Sequence, residues 1–177
     1  MEPRDEGVKA LGLINLYGPV TEERCEEVID LMIRYTYAGG DLIQFMISTH
    51  GGLVTEMFGV YDVMRMCRED CEIMTFGVGK VMSAGVLLLA AGTKGSRVIG
   101  ENCKIMMHGL RAGQEGYLPK ILHDVEDLVK MEEQYIKCLA AETNMTKAYI
   151  KRLFKKQLDV FLTAEEAIDL GIADKIL

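Results

Sequence analysis

The sequence predicts an α/β fold in a single domain spanning 1–177. Short apolar runs of strand length alternate with stretches of helical periodicity. No internal repeat, low-complexity tract or Pro/Ser-rich linker divides the chain. Its 177 residues suffice to bury one compact core.

Each element has its own signal. Residues 11–17 read as a first strand, ended by Gly18-Pro19. Thr21 then caps a helix with Glu22 and Glu23 in its first turn, where the positive end of the helix dipole favours carboxylates. Cys25, Val28, Ile29 and Met32 share one face of that helix, and Gly39-Gly40 stops it. A second strand over 42–48 runs into the loop Thr49-His50-Gly51-Gly52. A helix through Val60, Val63 and Met64 follows, then a third strand over 72–76. Gly77 and Gly79 predict a flexible turn into an apolar helix over 83–91. Residues 104–107 form another strand, reaching His108. The longest helical pattern covers 118–141, with Ile121, Leu122, Val125, Leu128 and Val129 as its apolar stripe. Thr163 and Glu166 form a capping box, and Gly171 closes the helix they open.

Composition narrows the function classes. Hydrophobic residues make up 49% and charged ones 27%, which is a globular balance. The net charge of −7 disfavours binding to nucleic acid or to an anionic membrane by charge alone. The charged segment 1–6 is unlike a signal peptide, and the run 86–91 is too short to span a bilayer. Cys25, Cys67, Cys71, Cys103 and Cys138 include no Cys-x-x-Cys pair. Cys67 and Cys71 are four apart, a weak metal signal beside the commoner reading of buried free thiols. An odd count without a pairing pattern suits a reducing cytoplasm.

Three residues could carry chemistry. Ser83 stands where a strand passes through a glycine turn into a helix start, so a nucleophilic hydroxyl there would have helix amides beside it. Taken alone, a serine in that place more often just caps its helix. His108 ends an apolar strand, a position from which an imidazole can act as general base; a strand-end histidine bonded to backbone is the plainer use. His50 lies in a glycine loop and His123 on the charged long helix. Asp159, flanked by Leu158 and Val160 between two helices, would need a partner such as imidazole if partly buried; a solvated loop aspartate is the plainer use. Spacing alone does not connect the three.

Their order does connect them to a known family. Ile47-Ser48-Thr49-His50-Gly51-Gly52, Tyr61-Asp62-Val63-Met64, the segment 83–92, Lys104-Ile105-Met106-Met107-His108, the segment 159–167 and Gly171-Ile172-Ala173-Asp174-Lys175-Ile176 occur in sequence. Together they resemble the proteolytic subunit of Clp-type ATP-dependent proteases from about Leu13 to the last residue. The resemblance implies a fold of repeating strand–strand–helix turns with a protruding handle helix, here roughly 111–141. It implies Ser83 as nucleophile, His108 as general base and Asp159 as its orienting acid, with backbone amides of Gly52 and Ala84 as oxyanion donors. It further implies a homo-oligomer of two stacked seven-subunit rings, a tetradecamer, enclosing a chamber for polypeptide substrates. No cofactor is expected, because ATP is used only by a partner AAA+ unfoldase.

The chain also departs from the family's pattern. His50 replaces a proline, Ala84 a methionine after the nucleophile, and Leu158 an arginine that pairs the rings. The stretch 77–82 is about two residues longer than usual, and a 1 Å shift of Ser83 would cost about 10²-fold in rate. The family's longer pore-lining segment is largely missing ahead of Leu13. Competing readings are a non-catalytic ring subunit of a mixed assembly, a serine–lysine peptidase of the signal-peptide peptidase type with Lys80 as base, and a crotonase-like acyl-CoA enzyme, which the Ser–His–Asp order does not suit.

Overall fold

The computed structural model describes residues 12–113, 115–155 and 158–177. The charged segment 1–6, Leu11 of the predicted first strand, Gln114 of the handle region and Gln157 lie outside them. Seven strands are described: β1 (Leu13–Tyr17), β2 (Leu42–Thr49), β3 (Glu72–Met82), β4 (Arg97–Ile99), β5 (Lys104–Met107), β6 (Val160–Leu162) and β7 (Lys175–Ile176). Six helices accompany them: α1 (Glu22–Tyr37), α2 (Val54–Cys67), α3 (Ala84–Ala90), α4 (Leu118–Glu142), α5 (Lys147–Lys155) and α6 (Ala164–Asp169). This is a mixed α/β domain built on a largely parallel sheet, as the alternating pattern predicts.

The sheet forks at β3. Its first half pairs with β4, which pairs with β7; its second half pairs with β5. On the other side β2 and β1 follow, all in parallel. Only β6 runs antiparallel, against β5. The fork requires a strand of 11 residues, and this corrects the expected turn at Gly77 and Gly79. Ile47 faces Gly77, but Thr49 faces Val81, so two extra residues are accommodated as a bulge in β3. Gly79, at φ +66, provides the left-handed residue it needs. Beyond the bulge, β3 is back in register, with Met82 opposite Met106. The bulge therefore ends before the chain reaches Ser83.

Burial alternates along β2 and β3, with Ile43, Phe45, Ile47, Ile73 and Val81 all fully buried. The alternate residues Met46, Met74 and Phe76 stay half-buried on the opposite face. Every residue of α3 is buried, as its all-apolar sequence demands. Gly85 allows α3 to lie close on β2, since a Cβ there would meet the Thr49 methyl at 2.5 Å. The stripe expected on the long helix is present, but Leu122 and Val129 are each 56% exposed. All five cysteines are free and buried. Thr163 and Glu166 form the expected capping box, whereas Thr21 stands at its N-cap without a side-chain bond.

One buried cation ties the far ends of the elements together. Arg97 Nη1 donates to the carbonyls of Ala90, Glu142 and Gly171, at the ends of α3, α4 and α6. Its Nε and Nη2 hold Asp174 at 2.8 and 2.5 Å. The Arg97 guanidinium bonded to Asp174 lowers that carboxyl from 3.8 to about 2. A depressed carboxyl stabilises the fold above its unfolded value, and that contribution is lost as pH falls through about 2. Asp174→Asn should cost roughly 2 kcal/mol at neutral pH. The deficit should shrink steadily as unfolding is measured at pH values approaching 2. A deficit that is constant with pH would contradict this role.

Candidate active site

Ser83 is the residue between β3 and α3, and its backbone is unusual. At φ 53 and ψ −120 it is the one non-glycine with positive φ among the described residues. Such a conformation costs on the order of 1–3 kcal/mol and persists only where surrounding contacts hold it. Those contacts are visible. Ser83 N–H donates to Met106 O at 2.8 Å, joining the turn to β5. Its carbonyl accepts from Val86 N–H at 3.0 Å and from the buried Tyr135 hydroxyl, also at 3.0 Å. Although Ser83 occupies the N-cap position, its side chain makes no capping bond. The plainer use of this serine is thus not realised, and its hydroxyl is left for other work.

Glycines build the wall opposite. A Cβ on Gly51 would lie 2.6 Å from Ser83 Cβ and 3.0 Å from its Oγ, so only glycine lets this loop approach. Gly51 also needs its φ of +95. Gly51 N–H donates to the buried Thr49 hydroxyl, and Gly52 bridges to Val20. Ala84 is the first residue of α3, where the backbone N–H has no acceptor within its own helix.

Sheet register brings the other two candidates close. Ile105 faces Leu162, Met106 faces Phe161 and Met107 faces Val160. The next rung of that antiparallel pair is His108 with Asp159. Because β5 also flanks β3, all three candidates stand at one end of three neighbouring strands. Sequence reading placed Asp159 in a loop; β6, only three residues long, begins one residue later.

The side chains make other bonds than those of a closed triad. His108 Nδ1 bonds Gly109 O, so that nitrogen carries the proton. Asp159 is held by the guanidinium of Arg111 and not by the imidazole. Its partner is thus a residue the sequence did not single out. Beside His108 opens a cleft of about 620 Å³, walled by the apolar Leu110, Ile136 and Phe154 and by the charged Arg111, Glu133 and Lys151, among others. Lys80 precedes the buried Val81 and faces Lys104 in the strand register, on the half-buried side of the sheet. Among the described residues, no helix is long and apolar enough to cross a membrane, and no cluster of His, Cys, Asp and Glu could hold a metal ion.

A strained serine between strand and helix, glycines against it and a histidine on the adjacent strand end are the parts a serine hydrolase would use. The Clp protease family model matches residues 8–177, nearly the entire chain. The chain belongs to the Clp protease family, and it is a serine peptidase of that kind.

Tyr135 is the site residue that sequence reading missed. It lies on α4, is fully buried, and stacks on Phe154 with ring centroids 5.8 Å apart. Burial pushes its hydroxyl upward in pKa, so it stays a neutral donor to Ser83 O. Tyr135→Phe should cost about 1 kcal/mol of stability. It should also lower kcat more than it raises KM, because the turn carrying Ser83 is loosened. Peptidase kinetics that change only in KM would show that the hydroxyl does not hold the turn.

Proposed function

We propose that the chain is the subunit of a Clp-type endopeptidase that cleaves unfolded polypeptides within a ring-shaped chamber. The observation that carries the reading is the strained, uncapped Ser83 at a glycine-walled turn. Ser83 Oγ attacks the peptide carbonyl carbon while His108 Nε2 takes its proton. The oxyanion is received by the backbone amides of Gly52 and Ala84. The tetrahedral adduct collapses to an acyl-enzyme as His108 passes its proton to the leaving amine. Water, deprotonated by His108, then releases the acid and restores Ser83. Asp159 orients His108 once it leaves Arg111, and the cleft beside His108, apolar at Ile136 and Phe154 and charged at Glu133 and Lys151, receives a substrate side chain.

Assembly is supported by what the single chain leaves uncovered. Parallel sheets are ordinarily covered on both faces, and one face here stays half-buried. Leu118, Leu122, Val125 and Val129, spaced 4, 3 and 4 apart, form an exposed seam on α4 suited to a second helix. We assign the sheet face to neighbours within a seven-membered ring and the α4 seam to ring stacking. An AAA+ unfoldase would spend ATP to feed the chamber. The five free thiols fit a reducing compartment such as the cytoplasm.

A fluorophosphonate should label the wild-type protein at Ser83 and fail to label Ser83→Ala. That variant and His108→Ala should lose about 10⁴- to 10⁶-fold in peptide hydrolysis. Lys80→Ala should retain activity; a loss matching His108→Ala would favour the serine–lysine reading. No labelling of any serine in the wild type would favour a non-catalytic ring subunit.

Leu158, 67% exposed, supplies apolar surface in place of an interfacial arginine. Ring pairing should therefore resist salt, since apolar burial is not screened as exposed ion pairs are. Sedimentation should show paired rings at low and high ionic strength, with Leu158→Arg the more salt-sensitive. Dissociation of both forms alike would remove this role for Leu158.

A further inference from the structure

His108 is held by something other than Asp159. The peptide joining Gly109 to Leu110 is fixed at both ends. Its carbonyl, Gly109 O, bonds His108 Nδ1; its N–H, on Leu110, donates to Glu132 Oε1 at 3.0 Å. An acceptor at Nδ1 leaves the lone pair on Nε2, the nitrogen a general base presents to serine. A carboxylate on the N–H polarises the peptide and makes its carbonyl the better acceptor. Glycine at 109 is what allows the contact. A Cβ there would lie 2.6 Å from Glu132 Oε1 and 3.3 Å from Phe154 Cβ. The nearer atom ends a flexible side chain, so a methyl at 109 would displace Glu132. Glu132 and Tyr135 are three apart on α4, which puts both on one helix face. That face thus holds the Ser83 carbonyl through one residue and the His108 peptide through the other.

We propose that Glu132 is a positioning residue for His108, acting through the Gly109–Leu110 peptide to keep the imidazole in its base tautomer while Asp159 is bound to Arg111. Its consequence for turnover rests on the peptidase reading; its effect on the tautomer does not. Magic-angle-spinning NMR of protein labelled with ¹⁵N-histidine reads the tautomer directly at about pH 9, above the ordinary imidazole range. His108→Gln assigns the signal. The wild type should show Nδ1–H. Glu132→Ala and Gly109→Ala should each shift the population toward Nε2–H. Glu132→Gln, whose amide oxygen can accept the same N–H, should keep it. In peptide hydrolysis Glu132→Ala should lower kcat about tenfold, a fraction of the 10²–10⁴ that positioned proton transfer supplies. KM should stay within about twofold. Glu132→Gln should remain close to wild type, and the double variant Gly109→Ala/Glu132→Ala should be no worse than either single change. Should Glu132→Ala not fold, Gly109→Ala carries the same readouts. Nε2–H in the wild type, an unmoved tautomer in both alanine variants, or losses that multiply would each overturn the proposal. A tautomer that shifts as expected in a protein that hydrolyses nothing would instead sink the peptidase reading and leave the positioning role standing.

Discussion

The backbone of Ser83 is the constraint from which the surrounding arrangement follows. A serine at φ 53 gives up on the order of 1–3 kcal/mol relative to relaxed backbone. Hydrogen bonds to Met106, Val86 and Tyr135, each worth about 0.5–1.5 kcal/mol net, offset that cost. The distribution of these bonds matters more than their sum. One comes from β5, one from α3 and one from α4, so three separate elements must be in place before the turn can persist. Gly51 is then required because no side chain fits between its backbone and Ser83. Arg97 anchors two of those three elements, α3 and α4, through their last carbonyls. A local strain of this size is thereby spread over most of the fold.

The same elements face outward as well as inward. α4 buries Tyr135 and Ile136 toward the turn while its Leu122 and Val129 lie open to solvent. Strands β2 and β3 likewise bury every second residue and leave Met46, Met74 and Phe76 half-covered. In the proposed assembly, neighbours would press on the helix and the sheet that hold Ser83 and His108. Coupling between assembly and site would then need no dedicated messenger, because the elements are shared.

Much of this was legible in the residues, and the misses have physical reasons. Alternating periodicity and the Thr163–Glu166 box gave the α/β class and a helix start, since those patterns are local. The motifs around Ser83 and His108 pointed to strand ends, and register puts them there. Glycines at 77 and 79 misled, because in isolation they signal a turn, whereas the partner strands β2 and β5 hold the segment extended and leave only a bulge. β6 escaped notice because three residues carry too little pattern and its pairing with β5 is long-range. Tyr135 and Glu132 were invisible for the same reason: each acts on a residue more than twenty positions away, and nothing in the helical period marks a polar atom that reaches across to another element.

The partnership of Asp159 is the point at which geometry and chemistry are most finely balanced. Register sets its backbone opposite His108, yet its carboxylate is taken by Arg111. Both partners of that ion pair are partly exposed, the guanidinium at 65% and the carboxylate at 34%. Exposed pairs of this kind are typically worth no more than about 1 kcal/mol. In the proposed mechanism, the bond from a charged His108 imidazole to this carboxylate is worth at least as much. The strand framework fixes where the three groups stand, and the weak outer ion pair leaves open which of them touch. The costly element, the strained Ser83 turn, is thus built into the fold, while the inexpensive one, the Arg111–Asp159 pair, is the contact that the proposed mechanism requires to change.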